Sequence, residues 1–238
     1  MFTVLLFGFL IGMQHAMEAD HVAAVASLAS RSSSLRQTAT QGAVWGFGHS
    51  LALFLFGSMV LLMDAVVPER FALGLELAVG LMLVLLGLDV LRRVVRDRIH
   101  FHRHQHGTAD HVHAHSHRGG GEHDSDPHHH DHPSRVFPLR ALLVGLMHGM
   151  AGSAALIVLT LNSVESLAQG LFYILLFGIG SILGMAILAM VISLPLRYSA
   201  RSLTWAHNGL QLLVGVVTVG LGASLVYQLG VVEGLLHL

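Results

Sequence analysis

Six long apolar stretches divide this chain, and their length restricts the folds open to it. They run from about Phe2 to Leu28, Thr38 to Met63, Phe71 to Leu91, Val136 to Leu161, Gly170 to Leu194 and Thr204 to Leu229. Crossing the hydrocarbon of a bilayer takes roughly 20 consecutive apolar residues in a helix, and each stretch meets or approaches that length. Of the 238 residues, 53% are hydrophobic and only 11% charged, which is the composition of a membrane protein. The stretches lack the strict alternation and short length of barrel strands, so only helices satisfy their backbone groups in lipid. The expected class is an all-α polytopic membrane protein with six transmembrane helices. No basic residue precedes the first apolar run, and its middle carries His15, Glu18, Asp20 and His21, so it reads as a permanent helix rather than a cleaved leader.

The placement of arginine orients the helices. All thirteen basic residues are Arg, and the formal net charge is −1, so nothing in the balance of charge suggests nucleic acid. Arg31 and Arg36 follow the first stretch, eight more from Arg92 to Arg140 flank the third connection, and Arg197 and Arg201 follow the fifth. The other connections hold Asp64, Glu69 and Glu165 against a single Arg70. The positive-inside rule therefore places the long central loop in the cytoplasm and both termini outside.

The two halves of the chain resemble each other. GLELAVGLMLVLLGL from Gly74 matches GLQLLVGVVTVGLGA from Gly209 at eight of fifteen positions. GMQHAM from Gly12 aligns with GLMHGM from Gly145, pairing His15 with His148, and Gly46 and Gly48 align with Gly178 and Gly180. Three helices per half is an odd number, so the second half would lie upside down in the membrane, as in secondary transporters whose substrate site sits at the interface of inverted repeats. The simpler alternative is that both halves share small residues only for helix packing. The expected organisation is a first three-helix repeat over residues 1–97, a cytoplasmic loop over 98–134 and a second repeat over 135–238.

That loop is rich in histidine: thirteen of the nineteen histidines lie between His100 and His132, among acidic residues and the run Gly119 to Gly121. Such a segment cannot bury a core, and no regular structure is expected in it. Neutral imidazole binds nickel, cobalt, copper and zinc, so His100, His102, His104, His106, His111, His113, His115, His117, His128, His129, His130 and His132 read as a buffer of weak, exchangeable metal chelates. The alternative is a solvated linker.

Ionisable groups inside a bilayer are expensive and usually face a cavity. The first stretch holds His15, Glu18, Asp20 and His21 within seven residues. At about 100° per residue, a regular helix groups His15, Glu18 and His21 on one face with Gln14 and turns Asp20 elsewhere. Either the helix is irregular between His15 and His21, or Asp20 does not bind the same ion. His49 and Ser50 follow Gly46 and Gly48, whose small size permits close approach to the first helix; an isolated membrane histidine is otherwise a hydrogen-bonding residue. His148 and Ser153 form a lighter polar group placed by the repeat opposite His15, read as pathway lining. There is no cysteine, which leaves histidine, carboxylate and methionine as metal-binding side chains. Met13, Met17, Met147 and Met150 lie near these histidines and are the kind of residue that packs a core.

The stretch HAMEADH from His15 resembles the signature of the nickel/cobalt transporter family: a histidine, four residues, then Asp-His, in an early membrane helix. The following VAAV and the Gly48-His49-Ser50 triplet fit the same pattern, and HGMAGSAAL from His148 is similar to a second-half motif of the shorter, six-helix, urease-accessory-like nickel permeases. This resemblance implies that His15, Asp20 and His21 recognise the metal in the first helix and His49 in the second. It implies a secondary permease of a bacterial inner membrane that takes up Ni2+, or Co2+, as the transported ion, with no prosthetic group. It also suggests cytoplasmic partners, a metallochaperone or the proteins that mature urease or hydrogenase. Classical importers of the family have eight helices and a second-half acidic motif that this chain lacks. Six-helix efflux members share the histidine loop but usually have Gly where this chain has Asp20.

Two other readings compete. An intramembrane zinc-dependent hydrolase would use a carboxylate among histidines, but the chain lacks His-Glu-x-x-His. A metal sensor or store would explain the loop and leave the intramembrane carboxylates without a role. No enzyme is expected; nothing resembles a nucleotide-binding loop, so transport would be secondary or powered by a partner subunit, and a dication entering the cell gains about 4.6 kcal/mol per 100 mV from the membrane voltage alone.

Overall fold

A computed structural model of the chain describes residues 2–30, 34–63, 68–96, 100–106, 109–115, 138–161, 166–202 and 204–235. These residues form α1 (Phe2–His15), α2 (Ala19–Ala29), α3 (Leu35–Met63), α4 (Glu69–Arg96), β1 (His100–His106), β2 (Ala109–His115), α5 (Leu139–Leu161), α6 (Leu167–Ser202) and α7 (Thr204–Tyr227), the last continuing into a π-helical turn, Gln228–Val232. The protein is a helical membrane protein. Among the described residues four helical spans, Leu35–Val60, Glu69–Arg96, Leu167–Ser199 and Trp205–Val232, are each long and apolar enough to cross a bilayer. Large apolar side chains also cover the outside of the bundle, among them Leu55, Leu85, Phe172, Val191 and Leu213, as a lipid-facing surface requires.

The first apolar stretch is not one helix. It divides into α1 and α2 at Ala16–Glu18, in the segment where a regular helix would have separated Asp20 from the histidines. A second difference lies in the central loop, where the sequence predicts no regular structure. β1 and β2 pair antiparallel there, with His100 opposite His115, His102 opposite His113 and His104 opposite His111. Histidine at every second position is the period-two pattern of a strand, and the register puts these six positions on the same side of the ribbon. His117, His128, His129, His130 and His132, and the side chain of Ser153, lie outside the described residues.

The helices pack as interlocked pairs. α3 lies against both α5 and α6, α1 against α6, and α4 against α7. Glycines set the closest approaches: a side chain at Gly12 would strike the Phe177 carbonyl, one at Gly145 the Trp45 carbonyl, and one at Gly180 the Phe9 carbonyl. Between α4 and α7, Gly80 faces Gly222 and Gly87 faces Gly215, so these two backbones nearly touch. The buried core gathers Val25, Leu28, Trp45, Leu83, Leu86 and Met185.

A few polar contacts fix the registers. Ser50 donates to the Gly178 carbonyl at 2.9 Å, between α3 and α6. Ser27 and Thr218 join α2 to α7 at 3.2 Å. Arg93 reaches Ser30 at 3.2 Å, and Arg140 reaches Asp89 at 3.4 Å, which gathers the end of α2, the end of α4 and the start of α5 on one side. Ser50→Ala should lower stability by about 0.6 kcal/mol, the average for an interhelical hydrogen bond in a membrane. A thermal melt in detergent checks this, and a loss above about 2 kcal/mol would mean that Ser50 does more than bridge α3 and α6.

Candidate metal centre

The site is built on the break between α1 and α2. After His15 the chain makes a tight turn, with the Met17 N–H donating to the Gln14 carbonyl at 2.9 Å and the Glu18 N–H to the His15 carbonyl at 3.1 Å. Glu18 is extended, with φ −63° and ψ 148°, and α2 starts at the next residue. Its side chain does not cap α2; it turns back to accept from His15 Nδ1 at 2.7 Å. Asp20 sits in the first turn of α2, where the helix dipole favours a carboxylate. Irregular backbone inside a bilayer is tolerated where it lines a cavity, so the break itself marks a site.

The break brings Asp20 and both of its histidine neighbours to one place. Asp20 Oδ1 accepts from His21 Nδ1 at 2.9 Å, and Asp20 Oδ2 accepts from His148 Nε2, on α5, at 2.8 Å. His15 Nε2 stands 3.2 Å from His49 Nε2, on α3. The His21 ring lies in the middle, with its centroid 4.4 Å from those of His15 and His148 and 5.0 Å from that of His49. Two overlapping sets of donors result, His15–His21–His49 and Asp20–His21–His148, each with its ligand atoms within 4.8 Å of one another. Nitrogens bound at about 2.1 Å to one ion, at angles of 90–110°, are about 3.0–3.4 Å apart, so the His15–His49 spacing already suits a shared cation.

The carboxylates set the tautomers, as assigned from the hydrogen-bond partners. His21 donates from Nδ1 to Asp20, which leaves Nε2 as a lone pair; His148 donates from Nε2, which leaves Nδ1 bare. His15 donates from Nδ1 to Glu18, so its Nε2 accepts from His49, and His49 Nδ1 is left bare in turn. His21 Nε2, His49 Nδ1 and His148 Nδ1 are all buried without a hydrogen-bond partner among the described residues. Three such orphaned nitrogens in one cluster are costly unless something binds them. Lone pairs held this way are the donor set of a carboxylate–histidine–metal site.

A cavity of ≈ 740 Å³ reaches this cluster, lined by Gln14, His15, Glu18, Asp20, His21 and His148 and by Glu76 of α4, Phe177 of α6 and Leu225 of α7. It lies toward the start of α4 and the end of α7. On the opposite side Trp45 is fully buried, its ring centroid 5.5 Å from that of His21 and 5.7 Å from that of His148. Beyond Trp45 is a separate void of only ≈ 10 Å³, between Val25, Leu28, Thr38 and Gln41, at the lower limit for a single water. The cluster is therefore open on one side and closed on the other.

No protein-family model and no solved structure matches the chain. It is 34% identical over 240 residues to the urease accessory protein UreH of Bacillus sp. (strain TB-90), an alignment that covers 99% of this chain and 96% of that protein. The chain belongs to the UreH family of urease accessory proteins. The UreH alignment spans essentially the whole length, so the broken helix, the histidines and the cavity all fall within it. This is the urease-accessory group to which the motif from His148 pointed, and it is a family of accessory proteins rather than enzymes.

Within this UreH-family chain the structure assembles His15, Asp20, His21 and His49, and places Gln14 and Glu18 on the cavity wall. Ser50 does not join them; it faces Gly178 between α3 and α6. His148, read from the sequence as pathway lining, is in direct contact with Asp20. Glu76 was missed, although it is the sole ionisable residue in the apolar run from Phe71 to Leu88, and that isolation was the available signal.

Proposed function

We propose that this protein is a secondary permease that moves a divalent transition-metal ion, Ni2+ first and Co2+ second, into the cell. The observation that carries this reading is the set of buried, partnerless imidazole nitrogens at the end of a cavity inside a helical membrane protein. His15, His21 and His49 supply nitrogen ligands. Asp20 holds His21 and His148 in position through both of its oxygens, so it orients ligands in this arrangement and reaches an ion only by releasing one of them. His148 offers the second set of donors with His21, a neighbouring position for an ion in transit. The relative's name, a urease accessory protein, favours nickel and a cytoplasmic partner in urease maturation or a metallochaperone. The histidine pairs of β1 and β2 serve as the metal buffer on the cytoplasmic side.

The inverted repeat is supported by matched contacts. Gly12 and Gly145 are equivalent in the two halves, as are Phe177 and Trp45, and Gly12 abuts Phe177 just as Gly145 abuts Trp45. Gly80 and Gly87 correspond to Gly215 and Gly222, and the contacts Gly80–Gly222 and Gly87–Gly215 map onto each other when the halves are exchanged. With the arginine-rich connections in the cytoplasm of a bacterial inner membrane, the cavity faces outside and Trp45 seals the inner path. That polarity, together with the membrane voltage, supports uptake.

Nickel flux into proteoliposomes with an inside-negative potential tests the proposal. The expected result is saturable, voltage-driven entry; protein that is folded yet gives no flux above empty vesicles would overturn it. Cells that gain tolerance of millimolar nickel without accumulating trace nickel would mark export instead. Asp20→Asn should weaken nickel binding about 10- to 100-fold with the fold intact, because the amide N–H2 presents a donor where His21 or His148 needs an acceptor. Calorimetric titration of purified protein measures this, and an unchanged Kd would remove Asp20 from the site.

A further inference from the structure

We propose that Glu76 is a cation-binding residue of the cavity, which takes a hydrated divalent metal from water and passes it to the buried histidines; this rests on the permease reading above. Glu76 lies on α4 about 10 Å along the helix from Glu69, within the membrane-spanning part, and lines the same cavity as His15, Asp20 and His21. It makes no hydrogen bond or ion pair to any described residue. Its neighbours Leu75 and Val79 pack into the core, whereas Glu76 itself is exposed at the cavity wall.

Packing does not demand a carboxylate at this position. In the second half the equivalent residue is Gln211, which is neutral and partnered, at 2.9 Å from His207. The charge is present only where the position lines the cavity, since Gln211 lies outside its lining. A carboxylate within a bilayer persists where it contacts water, a partner or a permeating ion. The second observation is the histidine end of the cavity, where His21 Nε2 and His148 Nδ1 are buried without a hydrogen-bond partner among the described residues.

The two ends differ in chemistry in the order that entry requires. A carboxylate is a hard oxygen donor that accepts hydrogen bonds from the water shell of a dication without stripping it. Imidazole nitrogens then replace those waters by direct coordination. Glu76 thus raises the local concentration of the ion in the cavity and is not a ligand of the final site.

Glu76→Gln is the test, read by two measurements on the full-length protein. Calorimetric titration with nickel should give a Kd within threefold of wild type. Nickel flux into proteoliposomes, at concentrations well below saturation, should fall at least tenfold, with Glu76→Asp recovering at least a third of the rate. Magnesium, which the histidines do not take but a carboxylate does, should inhibit wild-type flux at millimolar levels and leave Glu76→Gln flux unaffected, a readout that a merely structural role would not produce. Flux within twofold of wild type in Glu76→Gln overturns the proposal, and so does a loss of equilibrium binding, which would make Glu76 part of the buried site. If Glu76→Gln does not fold, Glu76→Asp decides by the same criteria: intermediate flux with unchanged binding supports the role, and unchanged flux overturns it. Absence of flux in wild type would instead overturn the permease reading, while wild-type flux abolished by His21→Ala but untouched by Glu76→Gln would leave that reading standing and remove Glu76.

Discussion

His21→Ala should abolish nickel flux, by about 100-fold or more, while the protein still assembles in the membrane. His21 is the one residue shared by both donor sets, so its loss leaves His15 with His49 on one side and Asp20 with His148 on the other, two donors each. Removing a group that merely orients a ligand lowers metal affinity 10- to 100-fold, and removing the shared ligand should do at least as much. Stability should change little by comparison, because the deleted ring gives up one hydrogen bond to Asp20 and also removes a buried nitrogen that has no partner. Flux and calorimetric binding measured on the same preparation separate the two effects. Substantial flux, above a tenth of wild type, would mean that the ion does not pass through His21.

The largest structural effect should come from Gly145→Val. A side chain there meets the Trp45 carbonyl and crowds the His49 backbone, and both belong to α3, the helix that brings His49 to the site. Overpacking a tight contact costs about 1–3 kcal/mol, and α5 can relieve it only by moving away from α3, taking His148 from Asp20. The expected result is a fall in the melting temperature in detergent together with loss of nickel binding. Gly12→Val should behave alike, through the Phe177 carbonyl. Gly209→Ala is the control, since no atom of the other described residues, its own helix turn aside, lies within 4 Å of a Cβ at that position, and its stability should match or slightly exceed that of wild type. Equal melting temperatures for Gly145→Val and wild type would show that α3 and α5 are not held at this contact.

Much of this was legible in the chain because a bilayer punishes polarity. The apolar blocks announce membrane helices, and four ionisable residues within seven, His15 to His21, stand out against them. Helical geometry even exposed the conflict: Asp20 could not share a face with His15 and His21 unless the helix broke. The turn at Ala16–Glu18 resolves it. What stayed hidden depends on which helices meet. No spacing rule joins His148 to Asp20, 128 positions away, and the repeat suggested only that His148 opposes His15. Glu76 was visible as an isolated charge, but only the packing of α4 against the bundle decides whether it faces lipid or the cavity. Ser50 is the converse case: adjacent to His49 in sequence, it points to a different helix.

The two carboxylates that hold the histidines have an electrical consequence. Glu18 and Asp20 each accept from imidazole, and with both ionised and the four rings neutral, the empty site carries two negative charges. A dication seated among those rings brings the sum to zero without the release of a proton: His21 already has its lone pair bare, and His49 only has to move its proton from Nε2 to the bare Nδ1. A neutral loaded site avoids most of the Born penalty that a buried double charge would incur, so the energetic burden moves to the return of the empty, doubly negative site. In the proposed uptake cycle, an inside-negative voltage would drive that return outward and so reset the site for the next ion.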